Sequence, residues 1–471
     1  MASKKRALIL SSISTILCIL LYFLVPFEGL EMQGKGCLII FIWAVLMWIF
    51  RPIPEYLVSM LSVALVVIIF GVSGSSALVG FSNTGWWMVF LATFLGASME
   101  KTGIARRAAL WFVSKWGNTY LKALYSTNIA NTVVSSFMSS GTGRSALMSS
   151  VTDGICDAMG FQAGKTKDDT ALMISNCFTA ATHSGFFYTA TGAAIIGMGF
   201  VTEFTGKDIT WGRWLAIACI PVGVVLILIP MMSYFMFKPK DGNIKIDNSF
   251  AKKELAALGP MTRDEKVSAI IFVATIALWA TQKIHGISAD IVIFLSVFAL
   301  LCPGIGVCSL DEVKNKIPWA ACIWLGFAMS LATVVSNTGG LNWLVNMVFI
   351  DSGLTTGMSF SGFMLIWIPV TVLLHIIFSG INAMCTIFVP ISLLVADALG
   401  FDPYTVGVVT TLCCVAGETI LPFNSSTNMI YLNTGRFTVA QEAKGGLVVD
   451  IMLIIMYIVC LYTYWPLIGL L

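Results

Sequence analysis

Two short segments gather small polar residues inside otherwise apolar sequence: Ser139-Ser140-Gly141-Thr142-Gly143-Arg144-Ser145 and Ser379-Gly380-Ile381-Asn382-Ala383. Glycine lets a backbone turn tightly and approach a ligand, and a helix starting there points unpaired N–H groups and the positive end of its dipole at that ligand. This is chemistry for holding a small carboxylate. Two further breaks interrupt apolar runs, at Thr189-Ala190-Thr191-Gly192 and at Leu421-Pro422-Phe423-Asn424-Ser425-Ser426-Thr427-Asn428. Pro422 removes a helical hydrogen bond, and the hydroxyls and amides after it can satisfy freed backbone groups or a substrate. The candidate binding residues are therefore Ser140, Gly141, Thr142, Thr189, Thr191, Gly380, Ile381, Asn382, Asn424, Ser425, Ser426 and Thr427. The competing reading is packing: small residues bring helices close together, and Ser and Thr patch a proline kink.

Four ionisable residues sit among these breaks: Arg144, Glu418, His183 and His375. An arginine at membrane depth costs about 2.5–3.5 kcal/mol on insertion scales, so it is expected to be partnered and functional, unless its head snorkels to an interface. A sodium site needs several hard oxygen ligands and no fixed cation beside them. Arg144, two residues after Thr142, argues against such a site, and its permanent charge can stand in for a cation. Glu418 lies deep in an apolar run, where it pairs with Arg144, His375 or His183 or else carries a proton. The two histidines are candidate coupling groups, with an ordinary buried role as the alternative.

The elements that position these residues follow from composition. The chain has 471 residues, 58% of them apolar and 11% charged, with a mean hydropathy of +0.89. That is far from a soluble domain and implies an all-α polytopic membrane protein. A net charge of +3 makes no basic surface, so nucleic acid is not a partner and lipid is. Runs able to cross a membrane lie near 7–24, 36–50, 54–72, 85–99, 168–200, 212–237, 266–284, 287–302, 318–336, 404–433 and 446–468, giving eleven crossings. The Ser/Gly-rich segments 118–155 and 358–395 read as re-entrant hairpins. With a cytoplasmic N-terminus, only Lys35, Lys207, Arg213 and Lys283 of the 27 basic residues fall outside, besides Arg144 within a hairpin. The positive-inside rule then puts the C-terminus outside.

The polar stretch around 238–265 divides the chain nearly in half, and the halves echo each other. Leu91-Ala92-Thr93 returns as Leu331-Ala332-Thr333, and Lys101-Thr102-Gly103 as Asn337-Thr338-Gly339. Each echo precedes an amphipathic segment and a hairpin. Five crossings per copy make the repeats inverted, an arrangement of secondary transporters with a midplane site. A channel is the weaker reading, and neither Gly-x-Gly-Asp nor Gly-x-Ser-x-Gly is present to suggest an intramembrane enzyme. The cysteines form no C-x-x-C pair, so no metal or cofactor is expected. The tryptophans, Trp86, Trp87, Trp111, Trp116, Trp211 and Trp214 among them, read as interface anchors.

From about Pro54 to the C-terminus the chain resembles the divalent anion/sodium symporter family, most of all its bacterial exchanger branch of tartrate/succinate and citrate/succinate antiporters. The resemblance rests on Gly80-Phe81-Ser82-Asn83, Glu100-Lys101-Thr102-Gly103, Arg106-Arg107, Ser140-Gly141-Thr142-Gly143-Arg144 and Leu421-Pro422 to Asn428. The family's Ser-Asn-Thr hairpin-tip motif stands here as Ser140-Gly141-Thr142 and Gly380-Ile381-Asn382. Its Pro-Pro-Asn stands as Ser426-Thr427-Asn428, and the counterpart near Gly192-Ala193-Ala194 is lost. The exchanger branch also carries an arginine at the Arg144 position, where sodium-coupled relatives arrange carbonyls around the ion. The resemblance implies a homodimer in the cell membrane that exchanges di- or tricarboxylates without sodium, with a sodium-coupled dicarboxylate symporter as the alternative. It further implies a scaffold (1–117 and 266–357) and an elevator-type transport domain (118–237 and 358–471), with 238–265 as the cytoplasmic linker.

Overall fold

The computed structural model describes residues 2–116, 119–138, 141–164, 168–237, 249–353, 355, 357–378 and 380–471. It is all-α, with no strand among the described residues. Five helices are long and apolar enough to cross a membrane by length and composition: Ala7–Leu24, Met32–Phe50, Trp319–Asn337, Ile381–Ala398 and Val439–Tyr462. Trp211–Ala218 and Pro221–Met236 pass the same test together, bent by 52° at their junction. Two expected crossings are each made of two shorter helices: Thr170–Thr182 with Gly192–Thr205, and Pro403–Val415 with Ser426–Leu432. They fall short of a membrane-spanning length because their breaks carry the polar residues.

Both hairpins are present as helix pairs, Tyr120–Phe137 with Gly141–Ala158 and Phe360–Leu373 with Ile381–Ala398. Element lengths recur along the chain. Thr84–Thr102 and Trp319–Asn337 have 19 residues each, and the second hairpin arms have 18 each. The first halves of the broken crossings have 13 each. The local echo has a conformational cause: Gly103 and Gly339, at φ +79° and +76°, take the left-handed turn that follows each 19-residue helix.

Salt bridges tie distant segments together. Arg106 reaches Glu254 at 2.7 Å and Arg107 reaches Glu265 at 2.8 Å, which fastens the second half of the linker segment to the short helix Ile104–Trp116. Lys101 meets Glu312 at 2.8 Å, and that contact holds the exposed Glu312 carboxyl down at about 2. Buried Arg436 binds Asp153, Asp157 and Asp169, with 2.7 Å to the last, and donates to the Phe161 carbonyl at 3.1 Å. It thereby staples the first hairpin to both broken crossings. At another group of chain ends, Arg213 donates to the Ile468 and Gly469 carbonyls at 2.6 and 2.7 Å.

Two of the tryptophans expected at the interface are core residues instead. Trp214 is buried and donates to the Gly185 carbonyl at 3.0 Å, and buried Trp211 donates to Thr189 Oγ1 at 3.3 Å. Their position at the start of a crossing resembled an anchor, but the bent span turns them inward against the break in the fifth crossing. Trp87, Trp111 and Trp116 are exposed, as anchors are.

Candidate functional site: a small cavity where hairpin tips meet broken helices

Four interrupted elements converge on one cavity of about 50 Å³, lined by Gly141 and Arg144, by Ala180, Ala181, Ser184, Ala190 and Thr191, by Ile381, and by Glu418, Ser425 and Thr427. Three substantial helices begin at this cavity: Gly141–Ala158, Gly192–Thr205 and Ile381–Ala398. Their N-terminal N–H groups and dipoles favour negative charge there. The fourth element contributes hydroxyls. Ser425 caps Ser426–Leu432 by accepting from the Asn428 N–H at 3.4 Å, and Thr191 caps its own helix by accepting from Ala193 N–H at 3.3 Å.

Arg144 is 1% exposed, which leaves no route for its head to an aqueous interface. Its Nη1 donates to the carbonyls of Met138 and Ala190, at 2.8 and 3.3 Å. One carbonyl belongs to the first hairpin and the other to the break in the fifth crossing, so the guanidinium cross-links two of the converging elements. Its Nε is buried and without a partner, and no carboxylate lies within ion-pair distance of it among the described residues. A buried guanidinium with neutral partners alone is incompletely compensated.

Glu418 lines the same cavity without pairing to Arg144 or either histidine. Ser425, which lines the cavity with it, and Gly380 neighbour its carboxyl. Its Oε1 is buried and has no partner. Its backbone carbonyl accepts from Asn428 Nδ2 at 2.7 Å, which fixes the extended segment between the two halves of the tenth crossing.

The remaining candidates fall around this centre. Thr189 is buried against Trp211, outside the cavity. Gly380 and Asn382 flank the lining residue Ile381, and Asn382 Oδ1 is buried without a partner. Thr142 and Ser426 are exposed. Ser140 and the side chain of Asn424 lie outside the described residues. His183 places Nδ1 on the Thr179 carbonyl. His375 places its ring nitrogens on the Val372 and Cys414 carbonyls at 2.8 and 2.9 Å, joining the second hairpin to the tenth crossing. Both histidines support the breaks from behind and are absent from the cavity lining.

Gly380 has φ +112°, a conformation that side chains other than hydrogen resist. A Cβ there would lie 3.7 Å from Arg51 Nη2, an ordinary contact, so substitution acts through backbone strain. Gly380→Ala is expected to cost about 1–3 kcal/mol at the hairpin tip. Substrate affinity should fall by about tenfold or more, read as a raised KM for transport with helix content unchanged.

Sequence reasoning overlooked Ser184 and the small residues Ala180, Ala181 and Ala190. Their run of small side chains beside the break was the available signal. It also overlooked a buried polar network behind the cavity, in which Asn131 Nδ2 donates to the Tyr431 hydroxyl at 3.1 Å and Asn176 Nδ2 to Thr127 Oγ1 at 2.9 Å. On the far side of the first hairpin's tip lies a larger cavity of about 580 Å³, bordered by Gly143, Ala146 and Leu147 of the hairpin and by Arg106, Arg107 and Glu265.

Paired hairpin tips, broken helices and an anion-favouring cavity within an all-α membrane bundle define a transporter. The chain belongs to the family described as "Sodium:sulfate symporter transmembrane region", whose match covers residues 5–471. It is similar to dicarboxylate transporter 1 of the spinach chloroplast, at 24% identity over 96% of this chain and 80% of the relative. It is equally similar to an L-tartrate/succinate antiporter of Escherichia coli, at 24% identity over 93% of this chain and 94% of the relative. The crystal structure of the Alcanivorax borkumensis YdaH transporter shares the fold with a TM-score of 0.57 at 14% identity, over 83% of this chain and 87% of that one. These are transporters of the divalent anion/sodium symporter type and other carriers, and the chain is a multi-pass membrane transporter of that family.

Proposed function

We propose that the protein is a secondary active transporter exchanging di- or tricarboxylates, of the succinate, malate, fumarate, 2-oxoglutarate, tartrate or citrate type, without sodium. The observation that carries this reading is Arg144, a buried cation held by two backbone carbonyls in an anion-favouring cavity. A sodium ion needs such carbonyls for itself, and Arg144 occupies those of Met138 and Ala190. The names of the antiporter and dicarboxylate-transporter relatives support the same substrate class. The recurring element lengths support two inverted repeats with eleven crossings.

Alternating access follows as an elevator movement in a homodimer of the cell membrane, with the N-terminus cytoplasmic and the C-terminus external. Hairpins and broken crossings move against a scaffold built from 1–117 and 266–357. A cavity of about 50 Å³ holds a water or two, so a diacid enters as the hairpin tips part. The first hairpin's tip is then the wall between the site and the larger cavity beside Arg106 and Arg107. Counterflow in proteoliposomes tests the reading. Labelled diacid should accumulate only in vesicles loaded with unlabelled diacid, and robust uptake into empty vesicles under a sodium gradient would overturn the proposal.

A further inference from the structure

The first two turns of the helix Gly141–Ala158 are a partition between two cavities. At about 3.6 residues per turn, Gly141 and Arg144 fall on one face and line the small cavity, while Gly143, Ala146 and Leu147 fall on the opposite face and line the larger one of about 580 Å³. That opposite face is thinly covered, with Ala146 exposed and Leu147 half-buried. Two turns beyond Leu147 the same face is backed: a Cβ on Gly154 would lie 2.2 Å from the Phe250 ring, so the ring bears directly on bare backbone. Phe250 belongs to the linker helix Ser249–Ala257, which Glu254 ties to Arg106 at 2.7 Å. Just after that helix, Arg107 donates to the Leu258 and Gly259 carbonyls at 3.2 and 2.8 Å and to Glu265 at 2.8 Å. The helix is thus held from behind at Gly154 and has open space behind it at Ala146. Of the two carbonyls that Arg144 meets on the other face, Met138 belongs to the hairpin itself, and the bond that crosses to the fifth crossing, to Ala190, is the longer at 3.3 Å. A diacid does not fit in about 50 Å³, so a wall of the site has to move.

We propose that Gly141–Met148 is the gate of the site: it swings into the larger cavity, pivoting where Gly154 bears on Phe250, and joins the two cavities into one path for the cargo. The inference rests on the carboxylate-carrier reading and adds to it the part that moves. A gating segment sets how fast a ligand enters and leaves, whereas affinity is set by the closed site.

The test fills the space behind the gate. Ala146→Phe puts a ring where the gate must swing, so association and dissociation of labelled succinate with the purified protein should both slow by about tenfold or more. The Kd should stay within about threefold of the wild type, because residue 146 faces away from the site. Phe250→Ala removes the backing and should speed both processes severalfold, and Ala146→Ser, which stays small, should leave them alone. If either Ala146→Phe or Phe250→Ala leaves both rates unmoved in folded protein, the inference is overturned. A weakened Kd with an unchanged association rate in Ala146→Phe overturns it as well, since that is damage to the site and not to its gate. Should Ala146→Phe not fold, Ala146→Cys alkylated with N-ethylmaleimide after purification makes the same block, and rates equal to those of alkylated wild type would be equally fatal. Succinate that binds with the predicted slowing in Ala146→Phe but is never exchanged in vesicles by the wild type would defeat the exchanger reading and leave the gate standing.

Discussion

Arg144→Ala is expected to abolish most diacid exchange, with the rate at limiting substrate falling by at least about a hundredfold, while Arg144→Lys retains a measurable part. The expectation follows from what the guanidinium touches. It donates to Met138 and Ala190 carbonyls from opposite elements and leaves Nε buried without a partner. Alanine removes both cross-links and deletes the charge proposed to receive a carboxylate. Hydrogen bonds to charged groups contribute about 1.5–3 kcal/mol each, so losing the substrate contact and one structural contact together amounts to about a hundredfold or more. Lysine keeps the charge but cannot bridge two carbonyls and a substrate with a planar fork. Freed of the cation, the carbonyls of the alanine variant resemble those a sodium ion would take, and added sodium should restore some of its rate. The measurement is exchange rate and KM for the three proteins with and without sodium, on folded protein. Equal activity in all three would remove the arginine from the mechanism.

The second large effect lies away from the cavity, at Arg436. Its guanidinium is buried between Asp153, Asp157 and Asp169, and the Asp169 side chain is fully buried while the other two are partly or largely exposed. Arg436→Gln leaves the Asp169 carboxylate without its counter-ion in the interior, a loss of about 3–5 kcal/mol for breaking a buried pair. Thr170, whose hydroxyl donates to the Arg436 carbonyl at 2.9 Å, then holds the loop alone. The melting temperature of the detergent-purified protein should drop by several degrees, and Asp169→Asn in the same background should recover much of that drop by removing the stranded charge. The exposed pairs Arg106–Glu254 and Lys207–Asp402 provide the contrast. Surface pairs contribute about 0–1 kcal/mol, so Arg106→Gln should leave the melting temperature nearly unchanged.

The parts of the fold that were legible in sequence are those where a physical conflict is written into the residue types. Glycine, proline and hydroxyl residues cannot continue an apolar helix quietly, so Gly141, Thr191, Gly380 and Pro422 marked the hairpin tips and breaks near their places in the structure. A buried arginine demands compensation, so Arg144 stood out as well. Contacts between distant segments were not legible. Arg51 takes a left-handed conformation at φ +50°, caps the helix Met32–Phe50, and brings its guanidinium to the tip of the second hairpin while pairing with Glu55 at 2.8 Å. Nothing in Arg51-Pro52-Ile53-Pro54 announces the hairpin it meets. Glu442, just before the last expected crossing, and Asp450, within it, are both fully buried. Asp450 accepts from Thr419 Oγ1 at 2.6 Å, beside the residue that lines the cavity. Alanine and serine contribute to the site through smallness, a property that a run such as Ala180-Ala181-Thr182 shares with ordinary helix packing.

Arg144 is proposed to hold the place a coupling ion would take. The most direct measurement is the initial rate of diacid exchange by the wild-type protein in proteoliposomes, with sodium varied against choline at constant ionic strength and diacid on both sides. The account predicts a rate independent of sodium from none added to saturating concentrations. A rate that is near zero without sodium and rises to saturation with it would contradict the account, because it would require an ion site among carbonyls already bound to Arg144.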